Sequence, residues 1–438
     1  MITTALNTTT VRRWKCYSTF ATTGVEWLSN IPAHWGTTPL KYVTQFTNGD
    51  SFNSGDWTDE GVPIIRIENL NGSENFNHTK RDADSRYHVR KGDLLFAWSG
   101  NRGTSFGPFH WEREGLHYLN QHIFRLDEFE LDRRWFYWLL KGVTAYVEKQ
   151  AHGIIGLVHI TRQELDSIKV PIVPKAEQNA IAAFLDRETA RIDTLIGHKE
   201  RLISLLEEKR QAVISHAVTR GLDVSAPLEE SSNDLIGLIP SHWRSIKLKY
   251  LFHFTKRQNH PGETVLSVYR DYGVIEKATR DDNHNRTPED ITSYQLVEPG
   301  DLVINKMKAW QGSLGISSLR GITSPDYVVY RRTNNEYLPY LHHLLRSRQM
   351  AKLYHSISNG IRPEQWRMEP EQFEQIMLPL PPLDEQKRIA DVIDRQLTEG
   401  DGLREKIREG ITRLQEYRMA LISAAVTGQI DVREEVSP

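Results

Sequence analysis

A single cysteine, Cys16, stands in 438 residues. No disulfide can close within the chain, and a cysteine-rich structural zinc site is excluded. No run approaches eighteen uncharged apolar residues, so no membrane span is expected. The first twenty residues are rich in Thr and lack a continuous apolar stretch, which argues against a secretory leader. A reducing, cytoplasmic setting is expected. There is little excess charge: 55 Lys and Arg against 57 Asp and Glu, formally −2. That excludes a uniformly basic nucleic-acid coat but leaves local basic surfaces open. The apolar fraction of 39%, with 11 Trp, 16 Tyr and 14 Phe, is too high for a disordered chain. The length predicts two or three domains.

The chain is written twice. Ile31-Pro32-Ala33-His34-Trp35 recurs as Ile239-Pro240-Ser241-His242-Trp243, and Leu40-Lys41-Tyr42 as Leu248-Lys249-Tyr250. Gly92-Asp93-Leu94 recurs as Gly300-Asp301-Leu302, with Ser105 and Gly107 returning as Ser313 and Gly315. Glu177-Gln178 returns as Glu385-Gln386, Ala217-Val218-Thr219 as Ala425-Val426-Thr427, and Asp223-Val224 as Asp431-Val432. Each pair is 208 apart, as in 239 − 31. That period is far above the roughly 20–50 residues of stacked repeats, so each half is a domain-scale copy.

Each half reads as one mixed globular region followed by one long helix. The boundaries are an N-terminal extension over 1–24, globular regions over 25–175 and 234–382, and helical regions over 176–226 and 383–432. Strand-like runs include Val62–Ile67, Asp93–Trp98, His122–Leu126, Asp301–Ile304 and Tyr327–Tyr330, with helical stretches at 133–148 and 337–354. The expected class is α+β, with a curved, mainly antiparallel sheet in each globular region. Proline-rich entries at 171–174 and 379–382 mark the starts of the long helices. Leu185, Ile192, Leu206 and Val213 recur at sevens in one, and Ile393, Ile407, Leu414 and Leu421 in the other. Lys199 and Gly400 interrupt these rows. A narrow apolar seam of this kind predicts two helices of ~40 residues, roughly 60 Å long, paired as an antiparallel coiled coil about a pseudo-twofold axis.

Catalytic motifs are missing. There is no G-x-x-x-x-G-K-[ST] loop, no G-x-G-x-x-G opening a helix, and no Asn/Asp-Pro-Pro-Tyr/Phe tetrapeptide. Glu385-Gln386-Lys387 is read as an N-terminal helix acid, Asn283-His284-Asn285 as a solvated loop, and His34 and His242 as groups that fix a turn or pack under the sheet rather than act as bases. No catalytic or metal-ligating residue is assigned. What is present is binding chemistry: segments that interleave cations, amides and aromatics. The candidates are Arg66, Asn69, Trp98, Asn101 and Arg102 in the first half, and Lys306, Lys308, Trp310, Gln311, Arg362 and Gln365 in the second. Arg and Lys suit phosphates and guanine edges, while Asn and Gln match adenine edges. Residues 241–382 hold 19 Lys and Arg against 15 Asp and Glu; residues 25–174 hold 16 against 19. A chain this weakly charged is expected to need a basic partner to hold DNA well.

These residues resemble the DNA specificity subunit of type I restriction–modification systems. The likeness rests on the repeated Ile-Pro-x-His-Trp openings, on Gly300–Met307, on Pro381–Gln386 and on Leu421–Val432, and it covers about 25–432. The first copy departs in Lys175-Ala176 and Arg220-Gly221. The resemblance implies two target recognition domains that each read half of an asymmetric, bipartite site in double-stranded DNA, with the helices as the ruler between them. It implies a non-catalytic chain without cofactors of its own. Two modification subunits would bind S-adenosylmethionine and methylate adenine, and restriction subunits would use ATP and Mg. An autonomous nuclease and a stand-alone DNA-binding scaffold are the alternatives.

Overall fold

The computed structural model describes residues 14–150, 157–270, 272–280, 287–360 and 366–435. The chain forms two compact units, one of residues 1–199 with 408–438 and one of residues 200–407. Five helices support the candidate side chains: α1 (Arg133–Gln150), α2 (Lys175–Arg220), α3 (Leu338–Leu345), α4 (Arg348–Ser356) and α5 (Leu383–Val426). The unit boundaries cut α2 and α5, so each unit contains one globular region and a half of each long helix. No described helix is long and apolar enough to cross a membrane.

In the first unit an antiparallel sheet runs in the order Gln45–Asn48, Ile123–Asp127, Leu94–Ala97, Gly107–His110. The strand Leu94–Ala97 is buried on both faces, and its alternation splits two cores. Leu94 and Phe96 face α1 residues Trp135, Phe136, Leu139 and Leu140; Leu95 joins Ile65, Val89, Trp111, Leu119 and Ile123. Each fully buried side chain of this size contributes about 1.5–3 kcal/mol. A second sheet contains a parallel pair, His117–Leu119 with Val62–Ile65, so the unit is mixed rather than purely antiparallel. The expected strand at 62–67 stops at Ile65, because Arg66 caps a single helical turn, Ile67–Leu70.

The second unit repeats the strand order: Phe252–Thr255, Tyr327–Arg332, Leu302–Asn305, Leu314–Ile316, all antiparallel. Leu302 and Ile304 face the helices, and Val303 faces Leu266, Val268, Val274 and Val329. The repeated Gly-Asp-Leu block is the entry to the central strand. Gly92 and Gly300 sit at φ 90° and 94°, where a side chain is strained. Asp93 accepts from the Arg90 amide at 2.8 Å and Asp301 from the Glu298 amide at 2.9 Å, closing the same tight turn. The single helix expected over 337–354 is two helices, α3 and α4. Ser347 breaks it: its hydroxyl accepts from the Met350 amide and caps α4.

The long helices pair antiparallel within each unit. In the first, Arg418 holds Asp193 at 2.9 Å, while Ile181, Leu185 and Ile192 share a core with Leu421, Ile422 and Ala425. In the second, Arg404 meets Glu207 at 2.7 Å and Arg210 meets Asp401 at 2.9 Å. The seam is well filled in the first unit, where Ile192 is 4% exposed. The residue 208 further on is Gly400, and in the second unit it borders a cavity of about 280 Å³, lined partly by Leu206, Val213, Leu397 and Leu403.

The repeated Glu-Gln pair anchors each long helix to its globular region. Gln178 donates to the Val173 carbonyl at 2.8 Å and accepts from the Asp132 amide at 2.9 Å, just before α1. Gln386 donates to the Pro381 carbonyl and accepts from the Tyr337 amide, both at 2.9 Å, just before α3. Both amides are buried. His34 reaches Glu177 at 2.6 Å and His242 reaches Glu385 at 2.8 Å. The acids read from sequence as helix-dipole partners are therefore attachment points as well.

Glu177 carries more. Tyr17 donates its hydroxyl at 2.8 Å and Trp35 its indole N–H at 3.1 Å. Burial, and then the Glu177 carboxylate, push the Tyr17 hydroxyl well above its usual range, so it stays a donor. Trp243, the counterpart of Trp35, has a buried indole N–H without a partner among the described residues.

Candidate DNA interface

The loops that follow the central strands present the candidate side chains. In the second unit, Leu302–Asn305 ends in a turn whose first residue caps it: the Asn305 side-chain oxygen accepts from the amides of Met307 and Lys308 at 3.1 and 3.2 Å. A 3₁₀ turn, Ala309–Gln311, follows and closes on Gly312 at φ 88°. Ala309 is buried, which turns Lys308 and Gln311 outward; both are exposed. Lys306 is half-buried beside them. The Trp310 indole donates to the Met307 carbonyl at 3.0 Å, and its ring meets His355 and Trp366 edge-on at 5.8 and 5.5 Å. Trp310 thus stiffens the turn with its N–H already used. Arg362 and Gln365 lie outside the described residues, as do residues 151–156 and 283–285.

The matching turn of the first unit is built differently. Asn101 and Arg102 are exposed, but the Glu148 backbone carbonyl at the end of α1 accepts from Arg102 at 2.6 Å and its carboxylate accepts from the Gly103 amide at 2.8 Å. Trp98 donates to the Gln121 carbonyl at 3.1 Å and lies against His122 and His159.

Arg66 and Trp98 converge on one feature that the sequence did not single out, the turn Asn120–Ile123. Arg66 lines a cleft with Phe52, Trp57, Asn120, Gln121 and His122. The turn is rigid underneath: a side chain at Gly49 would collide with the Asn120 carbonyl, and Ile123 N–H closes on that same carbonyl at 3.1 Å. Gln121 and His122 are exposed at its tip. Arg66 is partly committed, donating to Asn77 at 2.7 Å and lying over the Trp57 ring.

Asn69 departs from the expectation of an exposed segment. It is 3% exposed, accepts from the Arg66 amide at 2.9 Å and donates to the Asn75 carbonyl at 2.9 Å. Its amide closes the one-turn helix and is unavailable to a ligand. The spacing Arg66-x-x-Asn69 was the available signal, since a side chain three residues inside a helix reaches back to the capping residue's N–H.

Comparison with known proteins bears on this geometry. The family profile described as type I restriction modification DNA specificity domain matches residues 32–204 and again 240–413. The chain is 22% identical over 434 residues to the type I restriction enzyme EcoBI specificity subunit of Escherichia coli, covering 93% of this chain and 88% of that one. It is 22% identical over 439 residues to the putative MjaX specificity subunit of Methanocaldococcus jannaschii, covering 93% and 96%. A chain solved in work on complex assembly and conformational transition of the type I R-M system superposes with a TM-score of 0.63 at 15% identity, over 90% of this chain and 98% of that one.

Proposed function

The chain belongs to the type I restriction modification DNA specificity family, and from that premise we propose that it is the DNA-reading, non-catalytic subunit of a methyltransferase and endonuclease complex. One observation carries the reading furthest. The same four-strand framework appears in both units, yet the turn after its central strand is tied to Glu148 and presents Asn101 and Arg102 in one, and presents Lys308 and Gln311 in the other. A common scaffold with unlike tips suits two readers of unlike sequences, the halves of an asymmetric, bipartite site in double-stranded DNA. The continuous helices α2 and α5 are the spacer between them.

The weak overall charge supports a division of labour. Phosphate contacts dominate affinity for DNA, so partner subunits supply much of the grip. Two modification subunits would bind S-adenosylmethionine and methylate adenine; restriction subunits would use ATP and Mg. The complex would work in the cytoplasm, on chromosomal and incoming DNA. Mapping of methyladenine in cells with and without this gene tests the proposal. A gapped, asymmetric motif should be methylated in one and not in the other. An unchanged map would overturn the reading.

A further inference from the structure

Helix α4 has a face that the fold uses only at its C-terminal end, where His355 packs on Trp310 and Trp366. Met350, Leu353 and Tyr354 are buried in the second unit's core, while Arg348, Lys352 and His355 are exposed and recur at i, i+4 and i+7, along one outward stripe. The helix contains no Asp or Glu. Many cations of this unit are paired: Arg257 with Glu298 and Asp301, Arg320 with Glu263, Arg367 with Glu369. Arg348 and Lys352 make no ion pair among the described residues, and neither do Lys306 and Lys308.

The stripe also sits beside the candidate turn. A side chain at Gly312 would touch Ala351, and His355 packs on Trp310 and Trp366. Four cations without an ion pair among the described residues therefore border one edge, next to the exposed amide of Gln311. At the matching turn of the first unit, Glu148 accepts from Arg102 and from the Gly103 amide.

We propose that the outer face of α4, with Lys306 and Lys308, is a phosphate-binding ridge that grips the backbone of duplex DNA beside the second half-site. This rests on the DNA-reading function above and adds an asymmetry to it: the second unit provides this chain's electrostatic hold, and the first reads with little of its own. Four residues of helix separate the Arg348 and Lys352 positions by ~6 Å along the axis, within reach of neighbouring phosphates on one strand.

The test uses the full chain and a labelled 30-base-pair duplex of mixed sequence, titrated from low to moderate salt. Each phosphate contact adds about 0.9 to the slope of log affinity against log salt. Arg348→Gln with Lys352→Gln should reduce that slope by about 1.8, while Arg348→Lys with Lys352→Arg should keep it. A slope unchanged in the double Gln variant overturns the ridge, as does failure of the unaltered chain to bind the duplex at low salt. Either result leaves the specificity function to be judged by the methylation map.

Discussion

Replacing Glu177 by Ala removes the acceptor of three side-chain donors at once. Two of them, Tyr17 and Trp35, are each 5% exposed and so shielded from bulk solvent. Each stranded buried donor costs about 1–3 kcal/mol, so the two together cost about 2–6 kcal/mol. The same change at Glu385 loses His242, whose side chain is 47% exposed and regains water; there the loss should stay within about 1 kcal/mol. For units of some 200 residues, a kilocalorie moves the melting temperature by roughly 2–4 °C. Calorimetry should thus show the first unit's transition falling by roughly 4–24 °C in Glu177→Ala, and the second unit's by less than about 4 °C in Glu385→Ala. Equal shifts in the two variants would refute the reasoning, because the two sites share their His contact and differ in Tyr17 and in the indole bond.

Other perturbations separate further parts of the account. Lys308→Ala should weaken recognition of the second half-site alone, by about 1–3 kcal/mol if it touches a base, as read by methylation of substrates altered in one half at a time; equal losses at both halves would show that the modules do not read independently. A Cβ built on Gly400 meets nothing within 4 Å, so Gly400→Ala should stabilise the second unit by about 1 kcal/mol through helix propensity, and a lower melting temperature would contradict the open seam. Burial, followed by the nearby charges of Arg346 and His343, holds the His342 imidazole down at about 3 against an ordinary 6.5. Its folded pKa lies below its unfolded one, so its contribution is intact above 6.5 and is lost as pH falls toward 3. The slope is on the order of 1.4 kcal/mol per pH unit at most. Denaturation of His342→Gln between pH 6.5 and 4.5 should show a shallower decline than the unaltered chain.

Much of the architecture was legible because duplication writes it twice. Gly92-Asp93 and Gly300-Asp301 mark one strand entry in two copies, and the heptad rows from Leu185 and Ile393 mark helices whose apolar faces are narrow. What escaped was set by side chains that act over short reach. Ser347 splits a run of helix formers with one hydroxyl. Asn69, typical of a polar surface, is consumed by a single turn of helix. The strand Phe20–Thr22 pairs with Asn30–Pro32 as Leu228–Glu230 pairs with Leu238–Pro240, 208 positions on, yet three residues leave no periodicity to detect. The exposed tip at Gln121 and His122 depends on Gly49, more than seventy positions away, and only folding brings them together. The stripe on α4 was readable as a charge pattern, but its lack of acidic partners was not.

The first unit draws its interior from segments on both sides of residues 200–407. Leu421, Ile422, Val426, Ile430 and Val432 share one core with Tyr17, Trp35 and the α1 aromatics, and the Asp431 amide donates to the Lys15 carbonyl at 2.7 Å. A side chain at Gly142 would strike Val426, so α1 rests directly on the last turns of α5. During synthesis, then, the first globular region must wait for residues that follow 407, whereas residues 200–407 hold a contiguous unit that can consolidate as it leaves the ribosome. A premature stop near residue 407 would leave the later-made unit entire and the earlier-made one unfinished, which reverses the usual damage of a nonsense mutation.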